Sequence, residues 1–226
     1  MKILSNSLNL WTATTSRLNA AGTFLPQLFL RLILFWEFFW DAGLKKYQAG
    51  ADGNWFAGIQ DSFPIPFNSF SASFNWNMAM WGEIIGGLLV LLGLFTRFAA
   101  FSLIVITVVA TSAVHWPESW DSLGELWQGY VVTNKGNGNY KLPLLYVVML
   151  LPLLFSGAGK LSLDNLISNI NNGYNFSEKN YDFAMWGFIG LVICAVFIFL
   201  IPSIAIASLV FSALMFSLNR YLIPQS

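Results

Sequence analysis

Long apolar runs constrain this chain more than any other feature of its sequence. A helix needs about 20 mostly apolar residues to cross a bilayer. Only 10% of the residues are charged, against roughly 25% in soluble domains. The 226-residue chain carries apolar runs at 24–44, 76–95, 98–114, 142–157 and 183–219. The sequence therefore predicts an all-α, multi-pass membrane protein.

The last apolar run is too long for a single crossing. A straight helix over residues 183–219 would measure about 55 Å, whereas the hydrocarbon core of a bilayer is about 30 Å thick. Pro202 interrupts the run and breaks or kinks a helix. We expect two spans, 183–201 and 203–219, with one long kinked helix as the alternative. The predicted fold is a four-helix transmembrane bundle plus a C-terminal hydrophobic helix or helical hairpin.

The same runs divide the chain into four parts. We expect an N-terminal cytoplasmic or interfacial segment at 1–23, a four-helix membrane domain at 24–164, a cytoplasmic linker at 165–182 and a C-terminal transmembrane hairpin at 183–226. With a cytoplasmic N-terminus, six basic residues flank the spans on the inside and four on the outside. Basic residues favour the cytoplasmic side, so this orientation is the predicted one.

Charged residues interrupt the first two spans. The stretch RLILFWEFFWDAGLKK, residues 31–46, contains Arg31, Glu37 and Asp41, and Glu83 interrupts the second span. A charge in the middle of a bilayer is unfavourable by several kcal/mol, so such groups face a partner or water. Arg31 is expected to contact another helix or to extend toward the inner interface.

The two glutamates are predicted to lie at the same depth. At a rise of 1.5 Å per residue, Glu37 lies about 20 Å from Phe24, and Glu83 lies about 18 Å from Phe95. If the two spans are antiparallel neighbours, their carboxyl groups meet. Two carboxyl groups close together in a low dielectric do not both ionise readily. They are therefore candidates for proton exchange.

These residues predict a polar pocket in the outer half of the bundle. Its members would be Glu37, Asp41, Glu83 and His115, and the pocket would exchange protons with a quinone or bind a cation. Glu37, Glu83 and His115 are the candidate metal ligands. The other candidate ligand-binding residues are Trp40, Trp116 and Arg31. The alternative is that these groups form interhelical hydrogen bonds and ion pairs that only stabilise the bundle.

Two compositional facts exclude other functions. The net formal charge is zero, so no nucleic-acid partner is indicated. Cys194 is the only cysteine, which excludes an intramolecular disulfide or a dithiol relay. A redox reaction would therefore require a bound quinone or the cofactor of a partner protein.

Several stretches resemble the DoxX family of small four-helix membrane proteins over residues 26–164. They are RLILFWEFFWDAGLKK (31–46), WGEIIGGLLVLLGLFTRFAA (81–100), VVATSAVHWP (108–117) and GAGKLSLD (157–164). The resemblance implies a membrane component of an oxidoreductase system in the bacterial cytoplasmic (inner) membrane. Its cofactor stays open, with a quinone as the candidate. It implies no established catalytic mechanism.

The loops are similar to one branch of that family. NWFAGIQDSFPIPFN (54–68) and HWPESWDSLGELWQGY (115–130) resemble the HvfX-type branch, whose members accompany small secreted metal-binding peptides and their modifying enzymes. This similarity implies a metal-stress role and redox-protein or peptide-maturation partners. The alternative function is transport or export of a metal or a modified peptide, or an assembly role. Oligomer formation remains open.

Overall fold

The computed structural model describes residues 2–131, 137–170 and 180–222, with side chains from residue 6 onward. Helices and connecting turns account for these residues, and no strand occurs among them. The α-helices are α1 (Lys2–Gly22), α2 (Leu25–Phe35), α3 (Lys45–Ala49), α4 (Ala72–Leu92), α5 (Thr96–Ala110), α6 (Leu123–Leu126), α7 (Lys141–Ser156), α8 (Leu163–Ile170), α9 (Phe183–Phe197) and α10 (Pro202–Leu222). Helix α8 begins just before the predicted linker and continues into it.

Three helical stretches of the described chain are long and apolar enough to cross a membrane. They are Asn6–Ala49, Thr96–His115 and Pro202–Leu222, while Lys141–Ser156 and Phe183–Phe197 are apolar but shorter. The prediction of an all-α membrane protein is therefore confirmed.

Four helices pack around one apolar core. Helix α2 and the segment that follows it contact α4, α4 contacts α5, α5 contacts α7, and α7 returns to α2. Leu34, Leu103, Ile104, Leu150 and Leu153 are fully buried where these helices meet. Burial of such side chains from several helices fixes their order around the core.

Two π-helical segments interrupt the bundle. The first, π1 (Trp36–Leu44), joins α2 to α3, and the second, π2 (Thr111–His115), ends α5. π-Helices are rare and occur frequently at functional sites. Both segments carry ionisable side chains that the sequence analysis selected.

Segment π1 lies directly against α4 at two glycines. A Cβ atom at Gly43 would lie 2.9 Å from the backbone nitrogen of Ile84, and one at Gly87 would lie 2.9 Å from that of Phe39. Real Cβ atoms essentially never approach another heavy atom so closely. The absence of a side chain at Gly43 and Gly87 therefore allows this approach, which brings π1 and Glu83 onto one interface.

Arg31 and Asp164 hold the end of the bundle where α4 turns into α5. The Arg31 guanidinium is buried and donates hydrogen bonds to carbonyl oxygens of Val90, Leu91, Ala158 and Leu161. The Asp164 carboxylate accepts from the first amides of α5, at 2.8 Å from Phe95 N and 3.0 Å from Thr96 N. These contacts satisfy backbone groups that helix ends leave unpaired.

The last apolar run forms two helices that pack against each other. Helix α9 ends at Phe197, a short turn follows, and α10 begins at Pro202. The Ser212 hydroxyl donates to the Gly187 carbonyl between them. The structure therefore favours the hairpin over one kinked helix. At its turn, the Phe199 carbonyl accepts from the Ser112 hydroxyl of π2 at 3.4 Å.

Candidate functional site

A cavity of about 650 Å³ lies among π1, α4, α5 and α7. Along α5 it extends from Phe98 to Ala110 and continues to His115, which is about 25 Å at the helical rise. Most of its surface is apolar or aromatic. The lining includes Phe38, Met78, Ala79, Phe101, Val105, Ile106, Val109 and Val114. This volume and lining are typical of small-molecule sites.

The two glutamates enter this cavity with different partners. Glu83 of α4 is buried, and both of its carboxylate oxygens accept from Lys46 Nζ, at 3.0 and 2.7 Å. Glu37 of π1 accepts a hydrogen bond from the hydroxyl of Tyr146 on α7. Each carboxyl group is therefore tied to a different neighbouring helix, while both line one cavity.

Asp41 links the cavity to solvent. It lines the cavity from π1 and forms an ion pair with Lys45, four residues later. The side chains of both residues are more than half exposed. The polar groups thus run from the buried Glu83 to an exposed pair at the end of π1.

His115 ends π2 and also lines the cavity. Its ring Nδ1 is hydrogen-bonded to the side-chain Oδ1 of Asn139, and its backbone carbonyl accepts from Asn139 N at 2.9 Å. With the amide in this orientation its oxygen accepts from Nδ1–H. The second ring nitrogen, Nε2, takes no part in this contact.

The loop between α3 and α4 covers the cavity. Trp55, Phe56, Phe63 and Phe67 of this loop line it, and Phe56 packs against the ring of Phe63 at 5.1 Å between centroids. The loop is held by polar contacts at its base. Asn75 of α4 donates to the Phe67 carbonyl at 2.8 Å and to Gln60 Oε1 at 3.3 Å.

The four predicted pocket residues line one cavity, but the carboxyl groups of Glu37 and Glu83 pair with Tyr146 and Lys46 and not with each other, and the other candidates lie outside the cavity. Glu37, Asp41, Glu83 and His115 all line the cavity. Trp40 is half exposed and stacks on Trp36, and Trp116 packs against Tyr140. Arg31 contacts backbone carbonyls at the opposite end of α4. None of Trp40, Trp116 and Arg31 is among the cavity-lining residues.

The described residues contain no group of three or more His, Cys, Asp or Glu side chains that could hold a metal ion. Glu37, Glu83 and His115 therefore line the cavity without forming a three-ligand cluster. Their lysine, tyrosine and asparagine partners occupy part of their bonding capacity.

Sequence reasoning missed several cavity residues. Lys46 and Tyr146 are the direct partners of the two glutamates, and Asn75 anchors the covering loop. Tyr146 is the only hydroxyl-bearing residue in its helix before the terminal Ser156. Its polar hydroxyl within an otherwise apolar span is the sequence feature from which Tyr146 could have been predicted as a site residue.

Comparisons with known proteins place most of the cavity lining, apart from Pro143 and Tyr146 of α7, within a recognised family region. The profile of the DoxX family matches residues 27–116, which contain π1, α4, α5 and π2. An uncharacterized protein of Haemophilus influenzae is 45% identical over 154 residues, 68% of this chain and 91% of that protein. A second uncharacterized protein of that organism is 41% identical over 83 residues, 37% of this chain and 54% of that protein. No solved structure matches the chain. The chain belongs to the DoxX family.

Proposed function

We propose that this protein is a membrane subunit of a quinone-linked oxidoreductase system and binds the quinone in the cavity described above. The observation that carries this proposal is the shape and chemistry of the cavity. It is long and largely apolar, and its acidic and basic side chains, Glu37, Asp41, Glu83, Lys46 and His115, belong to π1, α4, π2 and the start of α3. That distribution suits a ligand with a polar ring and a hydrocarbon tail.

The polar part of the cavity has the groups that a quinone ring requires. One N–H of Lys46 remains to donate to a ring oxygen, the carboxyl groups of Glu37 and Glu83 can accept from a ring hydroxyl, and Phe38, Phe56 and Phe63 provide aromatic surfaces. Glu37, hydrogen-bonded to Tyr146, is placed to hold or release a proton. A bound quinone supplies the electron transfer that the side chains of this chain do not provide.

The apolar part of the cavity suits a ligand that arrives through the bilayer. Phe98 and Phe101 line it and are also exposed on the outside of the bundle, by 69% and 39%. Apolar side chains exposed beside the cavity give a lipid-borne tail a route between the bilayer and the interior. A water-soluble substrate gains nothing from such a lining.

The proposal includes a membrane arrangement. All four helices of the bundle, with π1 and π2, cross the bacterial inner membrane, and the α9–α10 hairpin adds two crossings. The N-terminus lies in the cytoplasm, as the distribution of basic residues favours. The cavity carboxylates then lie in the outer half, with Asp41 and Lys45 at the outer water.

Quinone binding to the full chain in lipid nanodiscs tests this function. A decyl-substituted benzoquinone is titrated against the protein as isolated and against two matched variants. Ala110→Phe places a ring at a residue that lines the cavity, whereas Ala213→Phe places one on an exposed position of α10 outside it. We expect saturable binding that only Ala110→Phe weakens, by tenfold or more. Absence of binding, or equal loss in both variants, contradicts the proposal.

A second candidate function rests on the charge of the same cavity. Three carboxylates line it against one lysine, which favours a cation and agrees with the resemblance to the HvfX-type branch. The protein would then transport or export a metal or a modified metal-binding peptide, or assist assembly of that system. Isothermal titration calorimetry of the nanodisc preparation with Zn²⁺ and Cu²⁺ tests this. Glu37→Gln is the test variant, and Glu125→Gln is its control. Saturable binding that only Glu37→Gln weakens supports it, and heat signals equal to empty nanodiscs reject it.

A further inference from the structure

The hydrogen-bond donors around the cavity are largely occupied by contacts within the protein. Lys46 gives two of its three N–H groups to Glu83, Tyr146 gives its hydroxyl to Glu37, and Asn75 gives its amide hydrogens to Gln60 and Phe67. Among the described residues that line the cavity, the remaining donors are one N–H of Lys46 and the indole N–H of Trp55, which is half exposed. The indole N–H of Trp76 is also buried without a partner among the described residues, but Trp76 packs against Phe56 and is not itself a lining residue.

The acceptors are far from filled. A carboxylate can accept at about four lone-pair positions. In the structure the Glu37 carboxylate accepts from one side chain, Tyr146, and the Glu83 carboxylate accepts from one side chain, Lys46. The ring of His115 presents Nε2 as an acceptor when neutral. The Oδ1 of Asn75 is buried without a partner among the described residues. Its orientation is fixed, because the Nδ2 of the same amide must face the Phe67 carbonyl.

We propose that this cavity selects the reduced, hydroxyl-bearing form of a lipid-soluble quinone over the oxidised form. The inference rests on the proposed function and specifies which form of the ligand the site favours. A hydroquinone donates two O–H groups and matches a surface rich in acceptors. A quinone carbonyl only accepts, so it would face carboxylate oxygens without a donor between them.

The expected preference is at least tenfold. Hydrogen bonds from a hydroxyl to a carboxylate are about twice as strong as those between neutral groups, and one such bond gained or lost is enough for a factor of ten in affinity. The preference originates in hydrogen bonds that the hydroquinone O–H groups donate to acceptors of the cavity. A similar ligand without O–H groups should therefore bind no more tightly than the quinone.

Three probes separate this inference from the proposed function. The full chain in nanodiscs is titrated without oxygen with decyl-hydroquinone, decyl-benzoquinone and the dimethyl ether of the hydroquinone. The hydroquinone is expected to bind at least tenfold more tightly than the other two. If the benzoquinone binds equally well or better, the inference is overturned and the proposed function stands. If none of the three binds, both are overturned.

Substitutions at the acceptors provide a second test. Glu37→Gln replaces a carboxylate oxygen by an NH₂ donor and should reduce the preference for hydroquinone by several-fold. Asp41→Asn, at a more exposed position, should act in the same direction. Glu125→Gln is the matched control, because Glu125 lies in the exposed α6 segment outside the cavity. A preference that is unchanged in Glu37→Gln and Asp41→Asn overturns the inference.

Discussion

Lys46 and Glu83 form a buried bidentate ion pair that joins the end of the first span to the middle of α4. The ammonium lies 3.0 and 2.7 Å from the two carboxylate oxygens, and the side chains are only 16% and 10% exposed. A pair of this kind compensates two charges that neither water nor lipid could solvate at that position. It also fixes Glu83 at the cavity wall.

Removal of one partner of this pair should be more harmful than removal of both. Lys46→Met and Glu83→Gln each leave an unpaired group, and each single substitution should lower the free energy of unfolding by about 3 kcal/mol. The double substitution should lose less than either single substitution, and therefore less than the sum of the two. Unfolding in detergent, followed by circular dichroism, gives the coupling energy of the cycle. Additive losses would show that the pair contributes no coupling.

Arg31 should behave as a structural residue. Its planar guanidinium serves four carbonyl oxygens at once, which a lysine cannot do. Arg31→Lys should therefore lower the free energy of unfolding by at least about 2 kcal/mol, whereas Arg220→Lys, at an exposed position of α10, should have almost no effect. Ligand affinity of the folded fraction should not change. A folded Arg31→Lys protein of normal stability that has lost ligand binding would place Arg31 in the site instead.

Asp164 should act as the N-cap of a helix distant in sequence. Both of its oxygens accept amides at the start of α5, where Phe95 adopts a left-handed backbone with φ 46°. Asp164→Ala should lower the free energy of unfolding by about 1–2 kcal/mol, and Asp164→Asn by less because one oxygen remains. Asp121→Ala, in an exposed loop, is the comparison. Equal unfolding temperatures for Asp164→Ala and Asp121→Ala would refute the capping role.

The positions of the helices and four of the ionisable cavity residues could be predicted from the sequence. The expected spans 76–95, 98–114 and 142–157 correspond to α4, α5 and α7 within a few residues, because apolar runs report directly on burial in lipid. Glu37 and Glu83 could be selected because charges in such runs must face protein or water. No further structural information was needed for either step.

The partners of those residues could not be predicted. Whether Glu83 pairs with Glu37 or with Lys46 depends on the orientation of π1 relative to α4. The glycines at positions 43 and 87 allow the two segments to approach, but they do not by themselves specify that orientation. The π-helical geometry of Trp36–Leu44 has no residue pattern comparable to an N-cap or a Pro break. Packing of the whole first span against α4 determines it. The same holds for Trp40, which points away from the cavity although it lies next to Asp41 in sequence.

The close contact between π1 and α4 should depend on Gly87. A Cβ at this position would meet backbone atoms of Phe39, which cannot rotate away as a flexible side chain can. Gly87→Ala should therefore separate the two helices, lower the unfolding temperature and weaken ligand binding. Gly58→Ala is the matched control, since no atom lies within 4 Å of a Cβ there. If Gly87→Ala and Gly58→Ala behave alike, the close approach does not position the site.

Photoaffinity labelling with a decyl azidobenzoquinone tests the central claim most directly, because it reports where the ligand binds. The full chain in nanodiscs is irradiated with the probe, digested and analysed by mass spectrometry, with and without excess decyl-hydroquinone. The cavity account predicts labels that the competitor removes, on α5 and π2 between Phe98 and Val114 and on the loop from Trp55 to Phe67. Labels confined to α1 or to the outer face of α10, or labels that the competitor does not reduce, would contradict it.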